Sequence, residues 1–462
     1  MASRAVVSAA SAAATASATR LASDSSGRHS PWTARYACCE EAPWWQFWRS
    51  GYPPDCLSAE AKKLPAWARV GCGSVGFPSK MSLGGATECP EALPDFANAR
   101  TAAGDVLCQR PRIWQRLRMR RTKLGFGLGG LVKPALECGD ADGETTGVVA
   151  GDEETYETFG ELMHPVISAV HGGFAPNQKH PTDLDFRNLI EAKFGPDGKF
   201  VQNVTFTTVR SVKGFRLPAA IEFEERREVE ALVAKGLDAL GGELGGTYYS
   251  LGGSRSQPAR PQLPSKLAAK LQADGWAVAA PRSLLPVVAG VLRCWPDARG
   301  VFESRSGHVT VAVNVDEHVV ITSNGGAADF AQVFRRMAET CECIRSIAVR
   351  LGKEFMRNDH LGFISGSPQN LGTCLEIRVE GTFPSLSRRN DFIEICDTLG
   401  LAAECSGGRF VLRSAVGKLG VSETFVANTV LHGVSQLVIL EQQLDSGGSI
   451  EDLVVGMRRW GC

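Results

Sequence analysis

The sequence predicts an α+β protein, and three stretches in its second half carry this prediction. Residues 329–351 place apolar side chains on one face at helical spacing, which predicts a long amphipathic helix. Residues 309–315 and 318–324 are rich in β-branched residues and flank Asp316–Glu317, so we expect two strands that meet at a tight turn. Strands and helices do not alternate regularly, which favours α+β over a parallel sheet.

Two more elements follow in the chain. Residues 373–381 alternate apolar and polar side chains, as a half-buried strand does. Ser422 is a good N-cap residue, and a second long helix is expected from there to about Leu444. These elements place the predicted sheet and its helices in the second half of the chain.

A glycine-rich segment at 125–130, GFGLGG, matches the pattern of a dinucleotide-binding turn. It follows a basic stretch rather than a buried strand, and we expect Pro134 to interrupt the helix after it. The context therefore argues against a dinucleotide site.

Composition limits the classes of function. The 462 residues suffice for two or three domains, and the 50 basic and 50 acidic residues cancel, so the overall charge predicts neither a nucleic-acid partner nor an anionic membrane surface. No apolar run is long enough for a membrane span. The 14 cysteines and eight histidines are scattered, so no metal bound by these residues is expected.

The N-terminal region differs in composition from the rest. Residues 1–36 are rich in Ala and Ser and contain no acid before Asp24, which is typical of a transit peptide or of a disordered extension. A mitochondrial or other organellar location is one expectation, and a cytoplasmic location is the alternative. Residues 37–91 form an irregular extension rich in Trp, Cys, Pro and Gly, with an aromatic run at 44–48.

Seven motifs occur in a fixed order from about residue 92 onward. They are VVAGDEETYETF (148–159), HGGFAPNQKHPTDL (171–184), RSVKGFRLP (210–218), GGTYYSL (245–251), WPDARG (295–300), VNVDEH (313–318) and NLGT (370–373). In these motifs and their order the chain resembles the phosphagen kinases, creatine kinase most closely and arginine kinase next.

The resemblance implies a guanidino kinase fold. A small helical N-terminal domain would cover 92–184, and a larger domain with an antiparallel sheet flanked by helices would cover 185–462. The family transfers a phosphoryl group reversibly from Mg-ATP to a guanidino nitrogen of creatine, arginine or a related compound. Such a reaction needs positive charge around the phosphates, and the resemblance implies five arginines there.

None of these five arginines is present. Their places are held by Thr205, Thr207, Val320, Glu376 and Glu404. Neutral side chains cannot replace a guanidinium, and the two glutamates would repel a triphosphate. The ATP site, as the family builds it, is therefore expected to be lost.

The positions that the resemblance assigns to the guanidino substrate are also changed. The family's two consecutive glutamates are represented by Val315 and Asp316, so Asp316 keeps one carboxylate, and a tryptophan of the family is represented by Ala312. Ser367 stands where the family has a cysteine, and a hydroxyl does not supply the charge of a thiolate. We expect Ser367 to cap its loop. His318, which is retained, is expected to be a scaffold residue.

Three functions remain open. The first is a catalytically impaired pseudoenzyme with an interaction or regulatory role and no cofactor, as a homo-oligomer or a hetero-oligomer with an intact relative. The second is an active kinase that uses Mg-ATP and a guanidino substrate, with phosphate recognition rebuilt from Arg378, Arg409 and Arg413. The third is a pocket that binds a cation through Glu376, Glu404 and Asp316.

Overall fold

The computed structural model describes residues 89–96, 100–138, 146–191, 194, 198–252, 260–273, 284–406, 409–415 and 418–460. The expectations for residues 1–36 and for the aromatic run at 44–48 lie outside these residues and stay predictions. Of the extension at 37–91, only 89–91 is described.

The first part of the described chain is helical. Its helices are α1 (Ala102–Gln109), α2 (Arg112–Leu117), α3 (Leu128–Glu137), α4 (Thr155–Thr158) and α5 (Gly160–Val170). Thr101 caps α1 by accepting a hydrogen bond from the Gly104 N–H at 3.2 Å. The helices share one hydrophobic core, in which Trp114, Leu131 and Leu162 are fully buried.

Pro134 lies inside α3 and does not interrupt it, so that expectation was wrong. A proline in a helix interior commonly costs about 3 kcal/mol because it removes one backbone donor and crowds the preceding turn. Burial of Leu131, Val132 and Ala135 on either side of it offsets this cost. The glycine-rich segment follows the short helix α2 rather than a strand, which agrees with the argument against a dinucleotide site.

An eight-stranded antiparallel sheet forms the centre of the larger part. Its strands are β1 (Val201–Arg210), β2 (Gly246–Ser250), β3 (Gly300–Ser304), β4 (Val309–Val313), β5 (Val319–Gly325), β8 (Leu375–Gly381), β9 (Leu401–Ser406) and β10 (Arg409–Ser414). Their spatial order is β2-β3-β4-β5-β1-β8-β10-β9. A separate two-stranded ribbon pairs β6 (Arg357–Asn358) with β7 (Gly362–Phe363).

The predicted strands are confirmed. Strands β4 and β5 pair as an antiparallel hairpin around Asp316–Glu317, with Val313 opposite Val319. Strand β8 alternates buried and half-buried residues along its whole length. The strands of the sheet pair antiparallel, and the helices between them do not alternate regularly with single strands, so the α+β class is confirmed.

Helices cover the sheet and bury its core. They are α6 (Phe223–Asp238), α9 (Phe330–Arg350), α10 (Phe392–Thr398), α11 (Glu423–Asp445) and α12 (Glu451–Trp460), and the shorter α7 (Ser265–Ala273) and α8 (Leu284–Val288) lie between β2 and β3 in the chain. Both long helices were predicted. Ser422 caps α11 by accepting from the Phe425 N–H at 3.2 Å.

No helix among the described residues is long and apolar enough to cross a membrane. In the same stretches, no group of three or more His, Cys, Asp or Glu side chains is arranged to hold a metal ion.

Phe206 joins the sheet to its helical cover. Its ring makes edge contacts with Phe330 and Phe334 of α9, with centroids 5.0 and 5.6 Å apart, and it is fully buried. Phe206→Ala should lower the free energy of unfolding by about 4 kcal/mol, because it leaves a cavity and removes two aromatic contacts. Urea denaturation measures this loss.

Phe186→Ala is the matched control, because that ring is 38% exposed and leaves no comparable cavity. The control should cost less than about 1 kcal/mol. Equal losses in the two variants would contradict the assignment of Phe206 to the central core.

Candidate functional site

The five positions at which the resemblance implies phosphate-binding arginines lie on strands of the sheet. Thr205 and Thr207 are on β1, Val320 on β5, Glu376 on β8 and Glu404 on β9. Successive side chains of a strand point to opposite faces. Because Phe206 points into the helical core, its two threonine neighbours lie on the opposite face, which we call the open face.

Thr207 lies at the middle of the open face. It stands opposite Glu376 on one neighbouring strand and opposite Thr322 on the other. The hydroxyls of Thr207 and Thr322 are 2.8 Å apart and hydrogen-bond to each other. The central strands therefore present neutral hydroxyls at this point of the open face.

Arg413 of β10 lies between the two glutamates. Its Nε is 3.2 Å from Glu376 Oε1, and its terminal nitrogen is 2.5 Å from Glu404 Oε1. All three side chains are partly exposed, so each pair contributes at most about 1 kcal/mol to stability. The two carboxylates neutralise the charge of Arg413, and the three side chains together carry a net negative charge.

Three other cations lie near these residues. Arg378 stands opposite Thr205 on one side and Arg413 on the other, and its Nε is buried without a hydrogen-bond partner. Arg409 is exposed at the start of β10. Lys418 donates to Asn370 Oδ1 at 2.7 Å, and burial lowers the pKa of its ammonium group. Arg378 is the cation best placed to serve a ligand on the open face.

An apolar cluster occupies the next part of the site. Its members are the buried Leu292, Trp295, Ala312 and Val315, with the partly buried Leu251 and Val320 packed against them. Ala312, Val315 and Val320 are three of the positions that the sequence singled out as substituted. In the structure these three residues belong to one apolar cluster. A charged ligand placed there would lose its hydration without gaining a hydrogen-bond partner.

Asp316 lies in the turn between β4 and β5. Its side chain reaches solvent, but protein surrounds it densely, and this partial desolvation raises the pKa of its carboxyl, while Arg299 acts in the opposite direction. Asn314 shapes the turn with a positive φ of 56° and donates from its side chain to Arg226 O and Ala298 O, both at 2.9 Å. Asp316 is therefore held at a defined place beside the apolar cluster.

Glu317 points the other way, into the protein. Its Oε1 accepts hydrogen bonds from the Ser365 hydroxyl and from the Gly366 N–H, both at 2.7 Å. Burial raises the pKa of this carboxyl to about 7, and Asp316 adds to the effect, whereas the two donors oppose it. Glu317 thus joins the turn that carries Asp316 to the loop that carries Ser367.

His318 is a scaffold residue, as predicted. Its Nδ1 accepts from the Val212 N–H at 3.0 Å, and its Nε2 lies 2.9 Å from Arg216 O, to which it donates. The ring is fully buried, which lowers its pKa to about 4 and keeps it neutral at physiological pH. Both ring nitrogens are occupied by backbone groups, so none is left for proton transfer.

Ser367 does not cap its loop, and that expectation was wrong. It precedes the 3-10 helix Pro368–Asn370, but its side chain makes no capping hydrogen bond. The loop is held by other contacts: the Ser367 carbonyl accepts from the Asn370 N–H, and the Ser367 N–H donates to Ser365 Oγ. The backbone is fixed on both sides of a half-buried hydroxyl.

Two features of this site were not found from the sequence. The contacts of Glu317 with the loop were missed, because the sequence alone does not distinguish an exposed carboxylate in a turn from a buried one. The two carboxylate contacts of Arg413 were also missed, because they depend on the register of three strands. Alternation along β4 and β5 could have suggested that Ala312 and Val320 meet, since they stand directly opposite each other.

Comparison with known proteins decides the family. Residues 107–168 match the family described as ATP:guanido phosphotransferase, N-terminal domain, and residues 228–444 match the C-terminal catalytic domain of the same family. The chain is 35% identical over 376 residues to the testis isozyme of creatine kinase from Oncorhynchus mykiss, covering 79% of this chain and 94% of that protein. The chain belongs to the phosphagen kinase family.

Solved structures agree with this assignment. Lombricine kinase superposes with a TM-score of 0.72 at 31% sequence identity, covering 79% of this chain and 98% of that one. The duplicated taurocyamine kinase from Schistosoma mansoni has a TM-score of 0.65 at 24% identity, covering 76% of this chain and 49% of that one, and shows a common fold. The helical first part and the antiparallel sheet are those of a phosphagen kinase fold.

The buried carboxyl of Glu317 predicts that the stability of this fold depends on pH. Folding raises the pKa of this acid from 4.5 to about 7. The protonated carboxyl therefore contributes fully to the stability of the folded protein below pH 4.5. This contribution is lost as the pH rises through about 7, because the buried carboxyl must then ionise. Glu317→Gln keeps an acceptor for Ser365 and Gly366 but cannot ionise. From pH 5 to pH 8, the variant should therefore gain up to about 3 kcal/mol of unfolding free energy relative to the unsubstituted protein.

Urea denaturation at both pH values measures this difference. Ser365→Ala is the control, because it removes a donor but keeps the carboxyl, and its stability should still fall with rising pH. A difference between Glu317→Gln and the unsubstituted protein that does not change with pH would contradict the assignment.

Proposed function

We propose that this phosphagen kinase family member does not transfer phosphoryl groups to guanidino compounds and acts instead as an interaction or regulatory partner. The observation that carries the proposal is Arg413, whose charge is taken up by Glu376 and Glu404 on the open face. A phosphate group would have to displace two carboxylates to reach it. Removal of one transition-state donor in an enzyme commonly costs about 3 kcal/mol, and here a whole set is replaced.

Mg-ATP fits these residues poorly. Its phosphates carry several negative charges, whereas the central strands offer hydroxyls at Thr205 and Thr207 and a carboxylate at Glu376. The apolar cluster around Val315 and Val320 cannot hydrogen-bond a phosphate or a guanidinium.

One observation favours the alternative, an active kinase with a rebuilt site. Arg378 lies on the same strand face as Glu376 and has a buried Nε without a partner. A single guanidinium supplies part of the charge that a triphosphate needs. Of the other two arginines expected in a rebuilt site, Arg413 contacts both glutamates and Arg409 is exposed at the start of β10.

The third possibility, a cation pocket, loses its support. It needed Glu376 and Glu404 to be available, but both carboxylates contact Arg413. Asp316 would be left alone, and one exposed carboxylate binds cations weakly.

Calorimetric titration with Mg-ADP tests the proposal, with creatine, arginine and nitrate present and absent. We expect no binding heat for the unsubstituted protein at millimolar nucleotide. Micromolar binding would overturn the proposal, and a coupled phosphoryl-transfer assay would then identify the substrate.

Two variants test the reason for the loss. Glu376→Gln combined with Glu404→Gln frees Arg413 without burying a charge, and it should give weak, salt-sensitive nucleotide binding. Arginine at all five positions, Thr205, Thr207, Val320, Glu376 and Glu404, should bind more tightly. If neither variant binds although both remain folded by circular dichroism, the altered charges are not the cause of the loss.

The partner is proposed to be a second copy of this chain or an intact relative. Light scattering of the purified protein, alone and mixed with an active creatine kinase, distinguishes these two cases. A monomer in both samples would contradict this part of the proposal.

A further inference from the structure

A strongly basic stretch lies far along the chain from the open-face residues. Residues 110–124 hold seven basic residues, and no acidic residue occurs between Val106 and Leu136. The basic residues are Arg110, Arg112, Arg116, Arg118, Arg120, Arg121 and Lys123. The neutral balance of the whole chain conceals this local excess of charge.

The fold turns this stretch outward. Helix α2 buries Ile113, Trp114 and Leu117 in the helical core. This leaves the charged side chains on the surface: Arg110, Arg112, Arg116, Arg120 and Lys123 are exposed, and Arg118 is half-buried. We call this surface, formed by residues 110–124, the basic surface.

Glu161 and Glu154 neutralise part of it. Arg116 and Arg120 share one partner, Glu161, at 2.5 and 3.5 Å, and Lys123 contacts Glu154 at 2.5 Å. Within the part of the chain that the structure describes, Arg110, Arg112 and Arg118 form no ion pair. The basic surface therefore keeps a net positive charge and fits an anionic partner.

Two apolar side chains of the same stretch are exposed. Met119, between Arg118 and Arg120, is 65% exposed, and Leu124 at the end of the stretch is 37% exposed. Exposure of a large apolar side chain to water costs free energy, and burial of that side chain recovers it. At a bilayer interface such a side chain can enter the acyl region while its neighbours contact lipid phosphates.

Nucleic acid fits this surface less well. Single-stranded and flexible nucleic acids are commonly held by exposed aromatic rings on which bases stack. Trp114 is the only aromatic residue in 110–124, and it is fully buried. The exposed methionine has no role in a contact that consists of phosphates alone.

We propose that the basic surface docks this protein onto an anionic lipid bilayer, with its arginines at the headgroup phosphates and Met119 in the interface. The protein would lie on the membrane and not span it. The charge complementarity rests on Arg110, Arg112 and Arg118, which are free to leave water for lipid phosphates.

Sedimentation with lipid vesicles tests the proposal on the full chain. Vesicles of equal parts phosphatidylserine and phosphatidylcholine should bind the protein at low salt, and vesicles of phosphatidylcholine alone should not. Each basic residue near an anionic surface strengthens binding about fivefold, so Arg110→Gln, Arg112→Gln and Arg118→Gln together should lower the partition coefficient about a hundredfold. Met119→Ser should weaken binding and leave its salt dependence unchanged.

The matched control replaces three exposed basic residues elsewhere, Lys235→Gln, Arg350→Gln and Arg388→Gln, which change the net charge equally. It should bind vesicles as the unsubstituted protein does. The proposal is overturned if anionic vesicles do not bind, if the control loses as much binding as the triple arginine variant, or if single-stranded RNA binds more tightly than vesicles at the same salt.

Discussion

The alternation of side chains along an antiparallel strand is the constraint on which the rest of this molecule depends. Each strand of the central sheet sends one residue into the helical core and the next onto the open face. Phe206 and Ile377 belong to the core, whereas Thr207 and Glu376, beside them in the chain, belong to the open face. Substitution of the second set leaves the packing of the first unchanged. A phosphagen kinase fold can therefore persist while the residues that would contact phosphate are exchanged.

The loop at 361–373 keeps its shape for a related reason. Ile364 and Leu371 are fully buried in the core of the helical part, and Glu317 holds Gly366 between them. These anchors fix the backbone whether residue 367 is a thiol or a hydroxyl. Conversely, burial makes the carboxyl of Glu317 costly to ionise, which raises its pKa.

Much of the fold could be predicted from the sequence because its signals are periodic. The helices at 330–350 and 423–445 and the hairpin around Asp316 follow from local spacing, and ordered motifs indicated the family. The ion pairs of Arg413 could not be predicted, since they join β8, β9 and β10 through a register that no single segment encodes. Pro134 was misjudged because tertiary burial outweighed a local penalty.

Phosphorus NMR is the most direct measurement of the central claim, that the fold is retained without its phosphoryl transfer. The protein would be incubated with Mg-ATP and, in turn, with creatine, arginine, lombricine and taurocyamine. We expect the ATP resonances to remain unchanged and no phosphorylated guanidine to form. A phosphoguanidine resonance that grows in proportion to protein concentration, and that disappears in an Asp316→Asn variant, would contradict it.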